Sequence, residues 1–546
     1  MNTILFTYRD ECCPECHARL KVYRTDSRHV KSVNGEFIAI HRIKVCPRER
    51  IKFRSYELDK IVPPHCTYAN NIMVESTIRR FIDGMSSSEI SSLLGASEGH
   101  VRKLSNQGID IFGKLHEKNI PELKKHIKSY VLQIDGTTDS EFSMIIAVRD
   151  AISDFTLYVR KCDSESQDAI EDILRDIDRK FGKPSGITCD MREGILSAAQ
   201  KVFPGIPVRI CLMHFLRDLG KDLMKNYHTD LGIMVNRMGI KSPLKKLLRA
   251  MPDYKQCTLD EISYGYCTDR KAIEFISIRR LLERIVNVGG GSGYGFPFTL
   301  KYLNFFNACS SAVKELTELI KRFKEKESTG TANSIADCLK MVTENVAIAA
   351  LAGKLGDINS IIFQRIRKAF MVPDHGNLSD DKYNPLTDDP VVHGNCSILF
   401  GELKVYLGTN IPKHLLTAAK LAINRYDRRE AMLFAQNADC TVPRTNNNME
   451  RFFRRIRRNI RKRCGNNATG NILAQSGEKL ALFQNMANPE YIKIVFGNAA
   501  PSTVFAGYRK PFRKSGMTKK RTVELVEKGT KMILADNIPD MPYYSV

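Results

Sequence analysis

The chain has 546 residues, with 84 Lys and Arg against 61 Asp and Glu, a formal net charge of +23 at neutral pH. That length allows several domains with sizeable cores, and the positive excess points to a polyanionic partner, because contacts to phosphates release counterions. Fifteen scattered cysteines, an odd number, speak against a disulfide framework and for a reducing compartment. The first residues carry no basic-then-apolar leader pattern and no run reads as long enough to span a membrane, so a soluble cytoplasmic protein is expected.

In chain order, residues 1–66 read as a zinc-ribbon-like segment. Cys13-Pro14-Glu15-Cys16 is a C-x-x-C knuckle, and His41 and Cys46 follow it. Cys13, Cys16, His41 and Cys46 are the candidate zinc ligands. The second knuckle, Cys46-Pro47-Arg48-Glu49, has Glu where a fourth Cys would be expected, and His65 or Cys66 can replace His41 in the set. A ribbon remnant held by ordinary packing is the other reading.

Residues 67–120 read as helices, the first over 72–82. Ser86 or Ser87 can cap the second, with Ile90, Leu93 and Leu94 facing inward. Gly95-Ala96 makes a turn, Ser97 caps again, and Val101 and Leu104 are apolar on the next short helix. The pattern fits a helix-turn-helix, whose second helix enters the major groove. His100, Arg102, Lys103 and Asn106 are then the expected DNA contacts; a plain helical hairpin is the alternative.

Residues 121–228 alternate strands and helices. A buried strand over 130–134 runs into Asp135-Gly136, and further strands follow over 142–148 and 155–159. A short strand over 187–189 ends in Asp190, a helix covers 192–202, and a strand over 207–212 leads to Cys211-x-x-His214. An Asp at the end of a buried strand has a fixed direction and partly dry surroundings, which suits a ligand for a hard cation.

Residues 229–440 are mostly helical, with helices expected over 243–251, 269–286, 305–325, 332–355, 360–370 and 415–438. The glycine-rich stretch 289–295 lacks the Lys-Ser or Lys-Thr of a phosphate-binding loop and reads as a connection. Residues 371–390 read as a polar loop.

In residues 441–500, Thr445 or Asn446 can cap a helix with Glu450 in or near its first turn. Met449, Phe453, Ile456 and Ile460 make one apolar stripe, while Glu450, Arg454, Arg457 and Arg461 make its neighbour. An acid there complements the helix dipole; it also fits a metal-binding carboxylate beside a phosphate-binding row of arginines. The tail, 501–546, is basic at first.

Strand–Asp135, strand–Asp190 and helical Glu450, in that order, resemble the DDE transposases. The Cys211-x-x-His214 pair and the Thr445-Asn446-Asn447 lead-in are similar to the Mutator-like branch of insertion-sequence transposases. The resemblance covers roughly residues 125–230 and 440–490. It implies an α/β protein with an RNase H-like catalytic core interrupted by a large α-helical insertion. It also implies two Mg²⁺ or Mn²⁺ ions held by Asp135, Asp190 and Glu450, and His214 close to them. Glu430 is the next choice for the third carboxylate. The implied activity is cleavage and joining of a mobile element's DNA ends, with double-stranded DNA (terminal inverted repeats and target) as partner. A homo-oligomer on DNA, near the nucleoid of a prokaryotic cell, goes with it. A transposase-derived DNA-binding regulator without catalysis, or an RNase H-like nuclease, are the alternatives.

Overall fold

The structure, a computed structural model, describes residues 2–253, 270–288, 295–323, 330–373, 385–437, 440–465 and 469–509, with isolated positions between and beyond them. Among the described residues the chain is a mixed α/β protein with two mixed sheets. Residues 289–294 of the glycine-rich stretch, half of the 371–390 loop and residues 510–522 of the basic tail lie outside the described residues.

The first sheet holds β1 (Asn2–Thr7), β2 (Lys21–Ser32), β3 (Gly35–Val45) and β4 (Lys52–Phe53). β2 and β3 form an antiparallel hairpin in which Ser32 pairs with Gly35, whose φ of +109° few residues but glycine tolerate. β1 joins β3 in parallel and β4 joins it antiparallel. Phe6, Val30, Ala39, Leu58, Val62 and Ala69 close a small separate core beneath it. Leu58 comes from the short helix α1 (Glu57–Ile61).

Helices α2 (Asn70–Phe81), α3 (Ser87–Leu94) and α4 (Glu98–His126) follow. Ser86 and Glu89 form a reciprocal capping box at the start of α3, and Gly95 ends it in the left-handed conformation. Of the three residues expected to face inward, Ile90 is buried, Leu94 is half-buried and Leu93 is exposed. Ser97 does not cap α4; its hydroxyl instead meets Nδ1 of His100 at 2.8 Å. The expected short helix is 29 residues long. Its apolar stripe continues through Ile109, Phe112 and Leu115 after Leu104, so it runs on into the second core. At the α2–α4 crossing a Cβ on Gly108 would sit 2.0 Å from Oγ1 of Thr77. Near its far end, buried His116 holds the Tyr491 hydroxyl at 2.6 Å and the Leu157 carbonyl at 3.0 Å, and burial pushes its pKa down to about 4.

The second sheet is built from β5 (Val131–Thr138), β6 (Met144–Asp150), β7 (Thr156–Cys162), β8 (Gly186–Cys189) and β9 (Val208–Ile210), in the order β7-β6-β5-β8-β9. The first three form an antiparallel meander; β8 and β9 add in parallel on the other side of β5. Helices α5 (Gln167–Phe181) and α6 (Glu193–Val202) make the crossovers that parallel strands need. Helix α7 (Leu212–Arg237) leaves from β9.

The helical region differs from expectation at three places. A single helix over 332–355 is two, Gly330–Thr343 and Val346–Ala369, because Asn345 takes the backbone N–H groups of Ala347 and Ile348 and starts a new helix. That second run absorbs the helix expected over 360–370. It is also long and apolar enough by composition to cross a membrane, where the sequence suggested no such run. Its Ile348, Leu355, Ile362, Phe363 and Ile366 are buried within the core, and it packs on α7. Residues 385–390, read as loop, begin the Pro385–Tyr406 helix.

Candidate active site and cysteine cluster

The β5–β8 register pairs Leu132 with Ile187 and Gln133 with Thr188. Two more steps bring Asp135 abreast of Asp190, just beyond the end of β8, on strands that lie about 4.8 Å apart. β5 itself does not stop at Asp135 but continues to Thr138, because β6 pairs with it throughout.

Glu450 arrives from the Asn447–Cys464 helix, in its first turn. The start of that helix is fastened to both neighbours. Asn446 sits at the cap position, but its side chain does not cap; its amide donates to the Ile134 carbonyl at 3.0 Å. Its backbone N–H meets the Cys211 sulfur at 3.2 Å, and Leu212 N–H donates to the Arg444 carbonyl at 2.9 Å. Cys211, fully buried with its thiol pushed up to about 11, therefore joins the start of α7 to the start of the Glu450 helix.

His214, in the first turn of α7, lies with Nε2 3.8 Å from Oε1 of Glu450 and with Nδ1 buried and without a hydrogen-bond partner. Burial and the Arg217 charge lower its pKa below the usual 6.5, although Asp190 and Glu450 pull the other way. The imidazole is therefore neutral at pH 7. The sequence thus brings Asp135, Asp190, Glu450 and His214 together. Glu430, the reserve carboxylate, is engaged elsewhere by Tyr426 and His393.

Three further residues complete the site. Arg217, one turn along from His214, donates to Glu450 at 3.3 Å. Arg192 pairs with Asp190 at 3.1 Å and also with Glu165. Glu165 is almost wholly buried over Gly136, where a Cβ would stand 2.2 Å from its Oε1. Arg217 was detectable at i+3 from His214 and Arg192 at two residues from Asp190, whereas nothing in the pattern marks Glu165.

Burial, then the charges of Asp190 and Glu450, pushes the Asp135 carboxyl up to about 7. Burial also raises Asp190. The site thus concentrates more negative charge than Arg192 and Arg217 offset, and it offers the oxygen donors a hard divalent cation takes. A folded-state pKa raised above the unfolded value near 4 contributes stability at low pH that is lost as pH rises through about 7. In chelator, the melting temperature should therefore fall between pH 5 and 8, and Asp135→Asn should flatten that fall and melt later at pH 8. An unchanged slope in the variant would remove Asp135 as its source.

On the Glu450 helix, Met449, Phe453, Ile456 and Ile460 are buried as expected. Arg454 and Arg461 are exposed. Arg457 is turned inward: it donates to the Thr469 and Thr137 hydroxyls and to the Thr138 carbonyl, fixing the helix to the end of β5. His100, Arg102, Lys103 and Asn106 are exposed on the first turns of α4, with Arg102 paired to Glu98.

In the first unit, Cys13, Cys16 and Cys46 bring their sulfurs within 4.8 Å of one another, a cluster able to bind a metal such as zinc. Cys16 and Cys46 are 3.4 Å apart at sulfur, far from a disulfide bond length. This is the only group of three such ligand atoms among the described residues; the Asp135, Asp190 and Glu450 carboxylates stand wider apart. His41 is not in the cluster. It lies inside β3, where five residues of strand separate it from Cys46 by about 16 Å, and its Nε2 faces the Ser55 carbonyl at 3.2 Å. His41, His65 and Cys66 line a different cavity, with Arg28 and Asp59. No family model matches the chain, and no curated protein matches it.

Proposed function

We propose that this chain is a DDE-type DNA transposase, with an RNase H-like core in residues 121–228 and 441–500 and the helices of 229–440 inserted between. The observation that carries the reading is the convergence of Asp135, Asp190 and Glu450, from three remote segments, at one end of the second sheet. The order of that sheet, an antiparallel meander extended by two parallel strands, supports it.

Mg²⁺ or Mn²⁺ ions bound by the three carboxylates would stabilise the attacking and leaving oxygens of a phosphodiester. The rest is the work of the chain. Arg192 and Arg217 hold Asp190 and Glu450 in place. His214, neutral, presents a ring that can donate one hydrogen bond to a phosphate oxygen beside Glu450. Exposed Arg454 and Arg461 supply charge to neighbouring phosphates, and His100, Lys103 and Asn106 offer a polar surface to a groove.

The test is incubation of the purified chain with duplex DNA from either side of its coding region, with Mg²⁺, scoring strand scission and joining. DNA bound but never cut would favour a regulator, and cutting without joining a nuclease. In that assay His214→Ala should lose about a hundredfold or more of the cleavage rate, the range for a positioned polar group, with melting unchanged. Early melting with normal cleavage would reduce His214 to a packing residue.

A further inference from the structure

The cysteine cluster has three sulfurs and needs a fourth ligand for a closed tetrahedral site. The two loops that carry it are alike bond for bond. In the first, Cys13 N–H donates to the Ala18 carbonyl at 2.9 Å, His17 N–H donates to the Cys13 carbonyl at 3.0 Å, and His17 has φ +53°. In the second, Cys46 N–H donates to the Ile51 carbonyl at 2.9 Å, Arg50 N–H donates to the Cys46 carbonyl at 2.9 Å, and Arg50 has φ +57°. Each begins Cys-Pro. Superposing Cys13 on Cys46 puts His17 on Arg50 and Ala18 on Ile51, and it puts Cys16 on Glu49.

We propose that Glu49 is the fourth ligand of a zinc site completed as Cys13, Cys16, Cys46 and Glu49. The two turns meet at their sulfurs, with Cys16 and Cys46 3.4 Å apart and Cys13 within 4.8 Å of both. Each turn supplies its first and fourth residue, so the vertex left open by three sulfurs falls on the side of Glu49. The Glu49 backbone N–H already donates to the Cys46 sulfur at 3.3 Å, the kind of contact that steadies a metal-bound thiolate. Its carboxylate is exposed and makes no ion pair or hydrogen bond among the described residues, so it is available to turn inward. A carboxylate oxygen is an accepted zinc ligand at about 2.0–2.2 Å. The other residues considered fail on position: His41 lies far along β3, and Cys12 is exposed, in a bridge with Arg19.

A carboxylate in place of a thiolate leaves the site looser and more exchangeable than a four-cysteine one, because zinc favours the softer donor. The inference is independent of any activity at Asp135.

The experiment uses the full chain, stripped and refilled with Co²⁺ or Zn²⁺. The wild type should take up one ion with a tetrahedral cobalt spectrum. Glu49→Ala should bind it about tenfold or more weakly, comparable to losses from weakened ligand shells. Glu49→Cys should raise the thiolate-to-cobalt charge-transfer band by about one third, from three sulfurs to four, and should slow zinc loss to a chelator. Glu49→Cys serves as the control against simple misfolding of the alanine variant. Wild-type affinity and spectrum in Glu49→Ala, an unchanged band in Glu49→Cys, or no uptake by the wild type would each overturn the assignment.

Discussion

Asp135→Asn, Asp190→Asn and Glu450→Gln should each abolish Mg²⁺- or Mn²⁺-dependent cleavage of the DNA ends while leaving DNA affinity within a few-fold of wild type. Each substitution keeps the side chain's shape and removes the negative charge that a hard cation needs. The expected loss is large, about a thousandfold or more, because two-metal chemistry fails when one anchoring carboxylate goes. The folded state should survive, since all three groups are held by hydrogen bonds or ion pairs an amide can partly retain: Gly136 N–H to Asp135, Arg192 N–H to Asp190, Arg217 to Glu450. Asp135→Asn should even melt later in the absence of metal, so loss of cutting cannot be laid to unfolding. Cleavage that persists in Glu450→Gln would move the third carboxylate to another residue. Glu165 is then the nearer choice than Glu430, because it lies over Gly136 and pairs with Arg192.

Why the carboxylates were legible and Glu165 was not has a physical answer. Asp135 and Asp190 each close a short strand-like stretch with one polar residue in it, Gln133 and Thr188, and Glu450 opens a helix whose apolar and basic stripes are separate, so local pattern marks all three. Glu165 precedes α5 in a polar stretch, and only the pairing of β5 with β8 and the bare backbone of Gly136 bring it in. The same limit explains the ribbon. The Cys13–Cys16 knuckle is a local signal, but which residue completes it depends on how two turns face each other. His41, attractive by residue type, is excluded by its place in an extended strand. The Pro385–Tyr406 helix escaped because its prolines and polar start resemble a loop, while the buried Val392, Cys396, Leu399, Phe400 and Leu403 that hold it lie further along. Tertiary packing overrode local propensity there.

The joint between that helix and the second sheet should be a sensitive point for stability. Arg209 on β9 is among the largest fully buried side chains, and its two terminal nitrogens meet the Asp389 carboxylate at 2.7 and 2.9 Å. Asp389 also accepts from the Tyr383 hydroxyl and the Gln436 amide, and Arg209 donates to the Val442 carbonyl at 2.9 Å. Both charges are out of water, so the pair is favourable only while complete: removing one partner leaves the other buried and uncompensated, at about 3–5 kcal/mol. Asp389→Ala should therefore lower stability by about that amount, seen as an earlier urea midpoint. Replacing both residues with apolar ones, Arg209→Met with Asp389→Leu, should recover much of the loss. The damage should reach the site as well. Val442 leads through Arg444 to Asn446, whose contacts with Ile134 and Cys211 set the start of the Glu450 helix. Asp389→Ala should accordingly cut more slowly than wild type even where it is fully folded. A loss below about 1 kcal/mol, the level of an exposed ion pair, would mean that water reaches Asp389 and that this joint does not hold the third carboxylate in place.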